Sequence, residues 1–349
     1  MTELQLLKTK TINDTWSSPS KYWAERRQLR HFNARTIDEA VRLLTEYTEE
    51  ATVIAGGTDV VGLMRNRVIS PRALVNIKTI PDLAYIKEDA EGLKMGALTT
   101  IKDVATSTII RRKYGILTDA ARSVATPQIR NMGTVSGNLC QDVRCWYYRR
   151  PPVTGTTFFC RRKGGEFCYA PVGQNAHHAI IGGKLCHAVS PSDMAPALIA
   201  LGAKVVVVGA TGERVIPLEE FYTVFGNILR PHEMIVEVRI PTPKNEIRQR
   251  YLKFRYRKAI DFAISSVAAV ISMEGKAVSD ARIVLGGVSP TPYRAIKAEE
   301  VLREKTITHS LAETSAKAAL EQAAPLSMNA YKVSITEALV RRAIVDCNS

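Results

Sequence analysis

The chain has 349 residues, 46% of them hydrophobic and 23% charged, and carries a net charge of +14 at pH 7. That length can bury two or three cores, and the composition excludes a disordered or low-complexity protein. No run of about 18 uncharged apolar residues occurs, which excludes a membrane-spanning helix. The stretch MTELQLLKTKTINDTWSSPSKYW has no apolar signal-peptide centre, so the reading is a cytoplasmic protein. The basic surplus is dispersed, without a Lys/Arg tract. It therefore argues against nucleic acid and equally fits acidic partners or an anionic cofactor.

Residues 1–27 read as a polar tail. Arg30–Phe32 predicts a short strand, and Thr36 with Glu39 has the form of a capping box. Ile37, Ala40, Val41, Leu44 and Tyr47 recur at helical spacing, so a helix is expected to about Glu49. Thr52–Ala55 is the next strand. It runs into Gly56-Gly57, then Thr58-Asp59 and a second apolar run to Met64. Two glycines expose successive backbone N–H groups, and a following helical turn adds partial positive charge, which together suit a phosphate. A plain turn is the other reading. Neither GxGxxG nor GxxxxGK[ST] fits the segment. With Ala73–Ile77 as a further strand, the opening is a small α/β unit.

Leu93–Leu98 reads as a strand, Thr99-Thr100 as a cap for a helix from Ile101, and Ala120–Ala125 as helix stopping before Pro127. The small, hydroxyl-rich segment Ala125–Cys140 is either a plain loop or a surface where a ligand touches backbone. Five of the six cysteines lie between Cys140 and Cys186, which in a reducing compartment points to metal rather than disulfides. Cys145, Cys160, Cys168 and Cys186 are unequally spaced and include no CxxC. That weakens a zinc ribbon and fits one four-iron cluster; an insertion with idle thiols is the competing reading. Arg144, Arg149, Arg150, Arg161, Arg162 and Lys163 outnumber Asp142 and Glu166 there and could offset thiolate charge. His177, His178 and His187 are read as core or surface histidines. Asp193 stands where it can cap an apolar helix, Met194–Leu201. Val205–Val208 and Glu233–Ile240 are strands, the second closed by Pro241 and Pro243. Beyond that linker a third α/β unit is expected. Its strands are Tyr251–Tyr256, Ala263–Met273 and Asp280–Gly286, and its helices Ala298–Glu304, Ser310–Ala323 and Thr336–Val345.

Six stretches in order carry a resemblance: AGGTD (Ala55–Asp59), GALTT (Gly96–Thr100), QIRNMGTVSGNL (Gln128–Leu139), SDMAPALIALGA (Ser192–Ala203), KFRYRKAIDFA (Lys253–Ala263) and GGVSPTPYRA (Gly286–Ala295). On them the chain resembles the FAD-binding medium subunit of molybdenum hydroxylases, the xanthine and carbon monoxide dehydrogenase group. The resemblance implies an α+β chain: an FAD-binding fold of the vanillyl-alcohol oxidase/PCMH type, made of two α/β subdomains, plus a C-terminal domain like that of the CO-dehydrogenase flavoprotein. The divisions expected are a tail at 1–27, subdomains at 28–82 and 83–244, and the C-terminal domain at 245–349. A loop at 141–188 resembles that of a subset, the aldehyde oxidoreductase and 4-hydroxybenzoyl-CoA reductase type, in which an insertion carries a [4Fe–4S] cluster. Cys145, Cys160, Cys168 and Cys186 would be its ligands, with Cys140 and Cys347 ordinary thiols.

For FAD, the resemblance implies that the backbone of Ala55, Gly56, Gly57, Thr58 and Asp59 holds the pyrophosphate, with Ile54 beside it. Thr99, Gly133, Thr134 and Asn138 would line phosphate and ribose, and Ala125 and Ser136 also count as cofactor-binding. Asp193 would bond ribityl or ribose hydroxyls, and Lys253 would lie close to the isoalloxazine. The function implied is an electron-transfer subunit of an oxidoreductase without a substrate-processing residue of its own. Its partners would be a large molybdopterin-binding subunit, a small subunit with two [2Fe–2S] clusters, and an external carrier such as NAD, quinone, ferredoxin or oxygen. A stand-alone flavin oxidase and, remotely, a zinc-stabilised nucleic-acid-binding protein are the rivals.

Overall fold

The computed structural model describes residues 29–150, 158–243 and 246–348. The expected N-terminal tail therefore falls outside the described residues, as do residues 151–157 of the cysteine loop.

The first layer is built from β1 (Arg30–Asn33), α1 (Ile37–Tyr47), β2 (Ala51–Ile54), α2 (Val60–Arg65) and β3 (Ala73–Asn76). Its strands run parallel in the order β1-β3-β2. Thr36 starts α1 by accepting the Glu39 N–H, but Glu39 reaches back to the amide of Arg35, one residue further out than a capping box requires. The helix stops at Tyr47 because Thr48 turns to φ 45°.

Next come β4 (Ile86–Glu88), β5 (Gly92–Gly96), α3 (Ile101–Thr106), α4 (Thr108–Lys113), α5 (Gly115–Ser123), α6 (Pro127–Met132), α7 (Val135–Cys140) and α8 (Trp146–Arg149). Further on lie α9 (Met194–Ala200), β6 (Lys204–Gly209), β7 (Gly212–Pro217), the short pair β8 (Tyr222–Thr223) and β9 (Gly226–Asn227), and β10 (Met234–Pro241). The main sheet here has the order β4-β5-β10-β6-β7. Its strands alternate by face, as the two-residue period of a strand demands. Val206, Met234 and Val236 pack on the first layer, whereas Val205, Val207, Ile235 and Val238 pack on α3, α5, α7 and α9.

Two sequence expectations are corrected in this region. The helix expected over Ala120–Ala125 ends at Ser123, because Val124 is extended and Ala125 adopts φ 39°. The segment left open as loop or surface contains two six-residue helices, α6 and α7. Each is started by a threonine side chain, Thr126 on the Ile129 N–H and Thr134 on the Gly137 N–H, and Pro127 sits at the first turn of α6.

The last unit comprises β11 (Ile247–Phe254), β12 (Ser265–Glu274), β13 (Ala277–Gly286), β14 (Tyr293–Arg294), α10 (Ile296–Leu302), α11 (His309–Ala319) and α12 (Tyr331–Asp346). Its antiparallel sheet follows chain order. The apolar run in β12 is buried on both sides: Val267, Ala269 and Ile271 face the helices α10–α12, and Ala268 and Val270 face the core shared with α5 and α9. Strand β11 packs against α5 of the preceding unit. No helix among the described residues is long and apolar enough to cross a membrane.

Candidate functional site: a cleft beside the glycine turn

The turn after β2 is forced by close packing. Gly57 adopts φ +69°, and a Cβ on Gly56 would collide with the Met132 carbonyl oxygen at the end of α6. Among the described residues, the N–H groups of Gly56, Gly57, Thr58 and Asp59 have no acceptor. They border a cleft of about 630 Å³ whose opposite wall includes Gly133, Thr134, Ser136 and Asn138 of the α6–α7 corner. Unpaired backbone donors in a row are an anion site in need of an anion.

The carboxylate of Asp59 is anchored sideways. Oδ1 accepts from Arg144 at 2.8 Å and Arg149 at 2.9 Å, and Oδ2 accepts from Arg149 at 3.0 Å and the Asp142 N–H at 2.9 Å. Burial opposes its charge, but the Arg149 hydrogen bond and the two guanidinium charges outweigh burial and hold its pKa below the usual value. Arg144 also lines the cleft and stacks on the Phe262 ring at 4.3 Å, which covers its unpartnered Nε. The glycine turn is thus tied to the cysteine loop on one side and to the third unit on the other.

Asp193 forms another part of the wall. It occupies the N-cap position of α9 yet makes no capping bond; its carboxylate instead meets Tyr251 Oη at 2.9 Å and Lys253 Nζ at 2.6 Å. Lys253 itself does not line the cleft; its ammonium donates to Asp193 and to the Ser123 carbonyl. Ile54 and Thr99 also stand behind the wall; the Thr99 hydroxyl is spent on the Tyr85 carbonyl. Ala55 and Ala125 are on it, and the Ala125 carbonyl accepts the Ile260 N–H at 3.2 Å. The Ser136 hydroxyl bonds the Ala97 carbonyl at 2.8 Å, and Asn138 is oriented by Ser192 at 2.6 Å.

The thiols lie beside this cleft. Cys160 and Cys186 share one small buried cluster with Val143, Tyr148 and Ala188, and the partly buried Cys145 packs against it. The Cys145 sulfur faces the N–H groups of Tyr147 and Tyr148, and the Cys160 sulfur those of Arg162 and Lys163. Arg162 Nε reaches Cys186 Sγ at 3.3 Å, and His178 Nε2 reaches Cys145 Sγ at the same distance. Burial pushes Cys145 up to about 12, with the neighbouring Cys186 and Cys160 adding to the effect. Among the described residues, no group of three or more His, Cys, Asp or Glu forms a metal site.

A family model described as the FAD binding domain in molybdopterin dehydrogenase matches residues 27–146 and 173–243. The chain belongs to the FAD-binding subunits of the molybdopterin dehydrogenases. A second model, the CO dehydrogenase flavoprotein C-terminal domain, matches residues 250–347 of this FAD-binding subunit. It is 35% identical over 263 residues to the aldehyde oxidoreductase FAD-binding subunit PaoB of Escherichia coli, covering 73% of this chain and 80% of the relative. It is 28% identical over 316 residues to the carbon monoxide dehydrogenase medium chain of Hydrogenophaga pseudoflava, covering 89% and 93%. Among solved structures, the carbon monoxide dehydrogenase of that organism lacking the Mo-pyranopterin moiety superposes with a TM-score of 0.74 at 26% identity, covering 92% of this chain and 97% of the other.

FAD fits the residues present: the unpaired amides of the glycine turn suit a pyrophosphate, and Asp193 offers acceptors to hydroxyls. Several wall residues escaped sequence reasoning. Arg144 was visible only as part of a basic surplus, and Tyr222, Phe225, Ile260 and Phe262 were not singled out. For the last two a signal existed, since KFRYRKAIDFA contains both.

Proposed function

We propose that this FAD-binding subunit is the electron-transfer component of a multi-subunit molybdenum-containing hydroxylase, dehydrogenase or reductase. It would exchange electrons between [2Fe–2S] clusters of a small partner subunit and an external carrier, while substrate chemistry occurs on a large molybdopterin-binding partner. The observation that carries the reading is the row of unpaired amides from Gly56 to Asp59 bordering a cleft that also holds Asp193. Bound FAD supplies the exchange between one-electron and two-electron transfer. The chain's own part is to seat it: the turn at Gly56–Asp59 binds the pyrophosphate, and Gly133, Thr134, Ser136 and Asn138 close around the sugar and phosphate. Ala125 faces the same space, while Ile54 and Thr99 support the wall from behind. The relatives named as dehydrogenase and oxidoreductase subunits support the same reading.

The cysteine loop is proposed to hold a [4Fe–4S] cluster on Cys145, Cys160, Cys168 and Cys186. The donor chemistry supports this, because the Cys145 and Cys160 sulfurs already face backbone N–H groups and Arg162 stands on the Cys186 sulfur. Cys145 and Cys168 both lie near Tyr147, whose pKa is raised chiefly by burial and further by the two thiols. The family match is interrupted between 146 and 173, the stretch containing Cys160 and Cys168. Burial holds the free Cys145 thiol protonated, a penalty that iron coordination would reverse.

Anaerobic purification with a visible spectrum, iron and acid-labile sulfide analysis, and EPR after reduction tests both cofactors. Flavin bands with about four irons per chain are expected, and Cys160→Ser should lose the iron while keeping the flavin. Flavin without iron removes the cluster from the proposal. Turnover of aldehydes, purines or acyl-CoA by the isolated chain with a dye acceptor overturns the division of labour between subunits.

A further inference from the structure

Asp193 departs from what its position asks of it. A residue at the start of a helix ordinarily turns its side chain to the first free amides, but the Asp193 carboxylate turns away, to two donors on a strand of another unit. Tyr251 and Lys253 alternate along β11 and therefore share one face. They divide the two oxygens between them: Tyr251 on Oδ1 and Lys253 on Oδ2. Lys253 has a second acceptor, the Ser123 carbonyl at 3.0 Å, and Arg255 donates to the same carbonyl at 2.6 Å. Ser123 is followed by Val124 and Ala125, both in the cleft wall. The side chains of Lys253 and Asp193 are 4% and 5% exposed, so the pair is shielded from water and its geometry is held by packing.

Two consequences follow for a ligand in the cleft. Each carboxylate oxygen has used one lone pair on its donor and keeps another. The residue thus offers acceptors alone, the complement of a hydroxyl-bearing chain. A bare carboxylate would also repel a pyrophosphate in the same cleft; the ammonium behind it cancels that charge.

We infer that Lys253, assisted by Tyr251, is a positioning residue that fixes the Asp193 carboxylate for the hydroxyl groups of FAD, so that the third unit contributes to cofactor affinity through Asp193. This rests on the FAD reading of the cleft and on the binding role of Asp193.

The test is titration of the flavin-free full chain with FAD, followed by flavin fluorescence, for the wild type and D193N, K253M, K253R, Y251F and D193N/K253M. K253M and D193N are each expected to weaken FAD binding by about tenfold or more, the effect of losing one charge-assisted hydrogen bond. K253R should recover most of the affinity, Y251F should lose only a few-fold, and the double variant should bind no more weakly than D193N alone. A merely structural lysine would instead weaken binding multiplicatively on top of D193N, which overturns the inference. So does wild-type affinity in K253M. If K253M does not fold because it strands a buried carboxylate, D193N/K253M removes both charges and the comparison passes to K253R and Y251F: equal affinity in wild type, K253R and Y251F then overturns the inference. Wild-type affinity in D193N would remove Asp193 from the site while leaving the FAD assignment intact. Failure of the wild type to bind FAD would overturn the cleft reading itself.

Discussion

A methyl group added at Gly56 has nowhere to go, because the Met132 carbonyl occupies the position. Backbone cannot yield as a flexible side chain can, so Gly56→Ala must part the glycine turn from α6. The expected cost is about 1–3 kcal/mol, and because the parted surfaces are the two walls of the cleft, the purified protein should lose its flavin. The ratio of flavin to protein absorbance and the melting temperature check this together. Gly62→Ala is the control: nothing lies within 4 Å of its added Cβ, so flavin content should stay at the wild-type level. The glycine turn was legible in the sequence for a local reason, since Gly-Gly followed by Thr-Asp specifies backbone geometry without help from elsewhere. The partners of Asp59 were not. Arg144 and Arg149 meet it only after some ninety residues of intervening chain have folded back.

At the scale of elements, α6 and α7 are single short helices held by their first residues. Thr134 Oγ1 accepts the Gly137 N–H at 3.1 Å, and the same residue bridges to Thr100. Thr134→Ala should therefore destabilise the fold by about 1 kcal/mol, read as a lower urea midpoint with an unchanged slope. An unchanged midpoint would mean that the α6–α7 corner is held by packing alone. Helices of six residues leave almost no periodic signal, which is why Ala125–Cys140 could be read as loop. The long amphipathic α1 and the two-sided strand β12 were readable because their apolar residues repeat many times over. Asp193 shows the opposite limit: local position predicts a cap, and a lysine sixty residues later decides otherwise.

Across the whole molecule, the third unit is pinned to the cysteine loop by a lysine buried without a carboxylate partner in its hydrogen bonds. Lys332 Nζ donates to the carbonyls of His178 at 3.0 Å and Gly287 at 2.6 Å. Burial lowers its pKa to about 7 from an ordinary 10.5. Below pH 7 folded and unfolded chains both carry the proton and the burial penalty is full. Between pH 7 and about 10.5 the unfolded chain binds a proton that the folded chain does not, so stability from this site rises with pH across that window. The melting temperature of the wild type minus that of Lys332→Met should accordingly increase from pH 7 to pH 10. Parallel curves would show that Lys332 stays charged in the fold. No sequence pattern foretold this lysine, because its cost comes from three separate segments closing over it.

Strand β10 is the middle of the five-stranded sheet, yet it is the last of those strands to be made. Until it arrives, β4-β5 and β6-β7 are two separate hairpins, and the first layer lacks Met234 and Val236 from its core. Pairing β5 with β10 spans the whole cysteine loop, and such distant pairing is slow and leaves strand edges open meanwhile. During translation the two halves of the cleft therefore wait, unjoined, for the chain to pass Pro241. Cofactor capture is consequently a late event in the life of the nascent chain, and the interval before it is when this subunit most needs protection from aggregation.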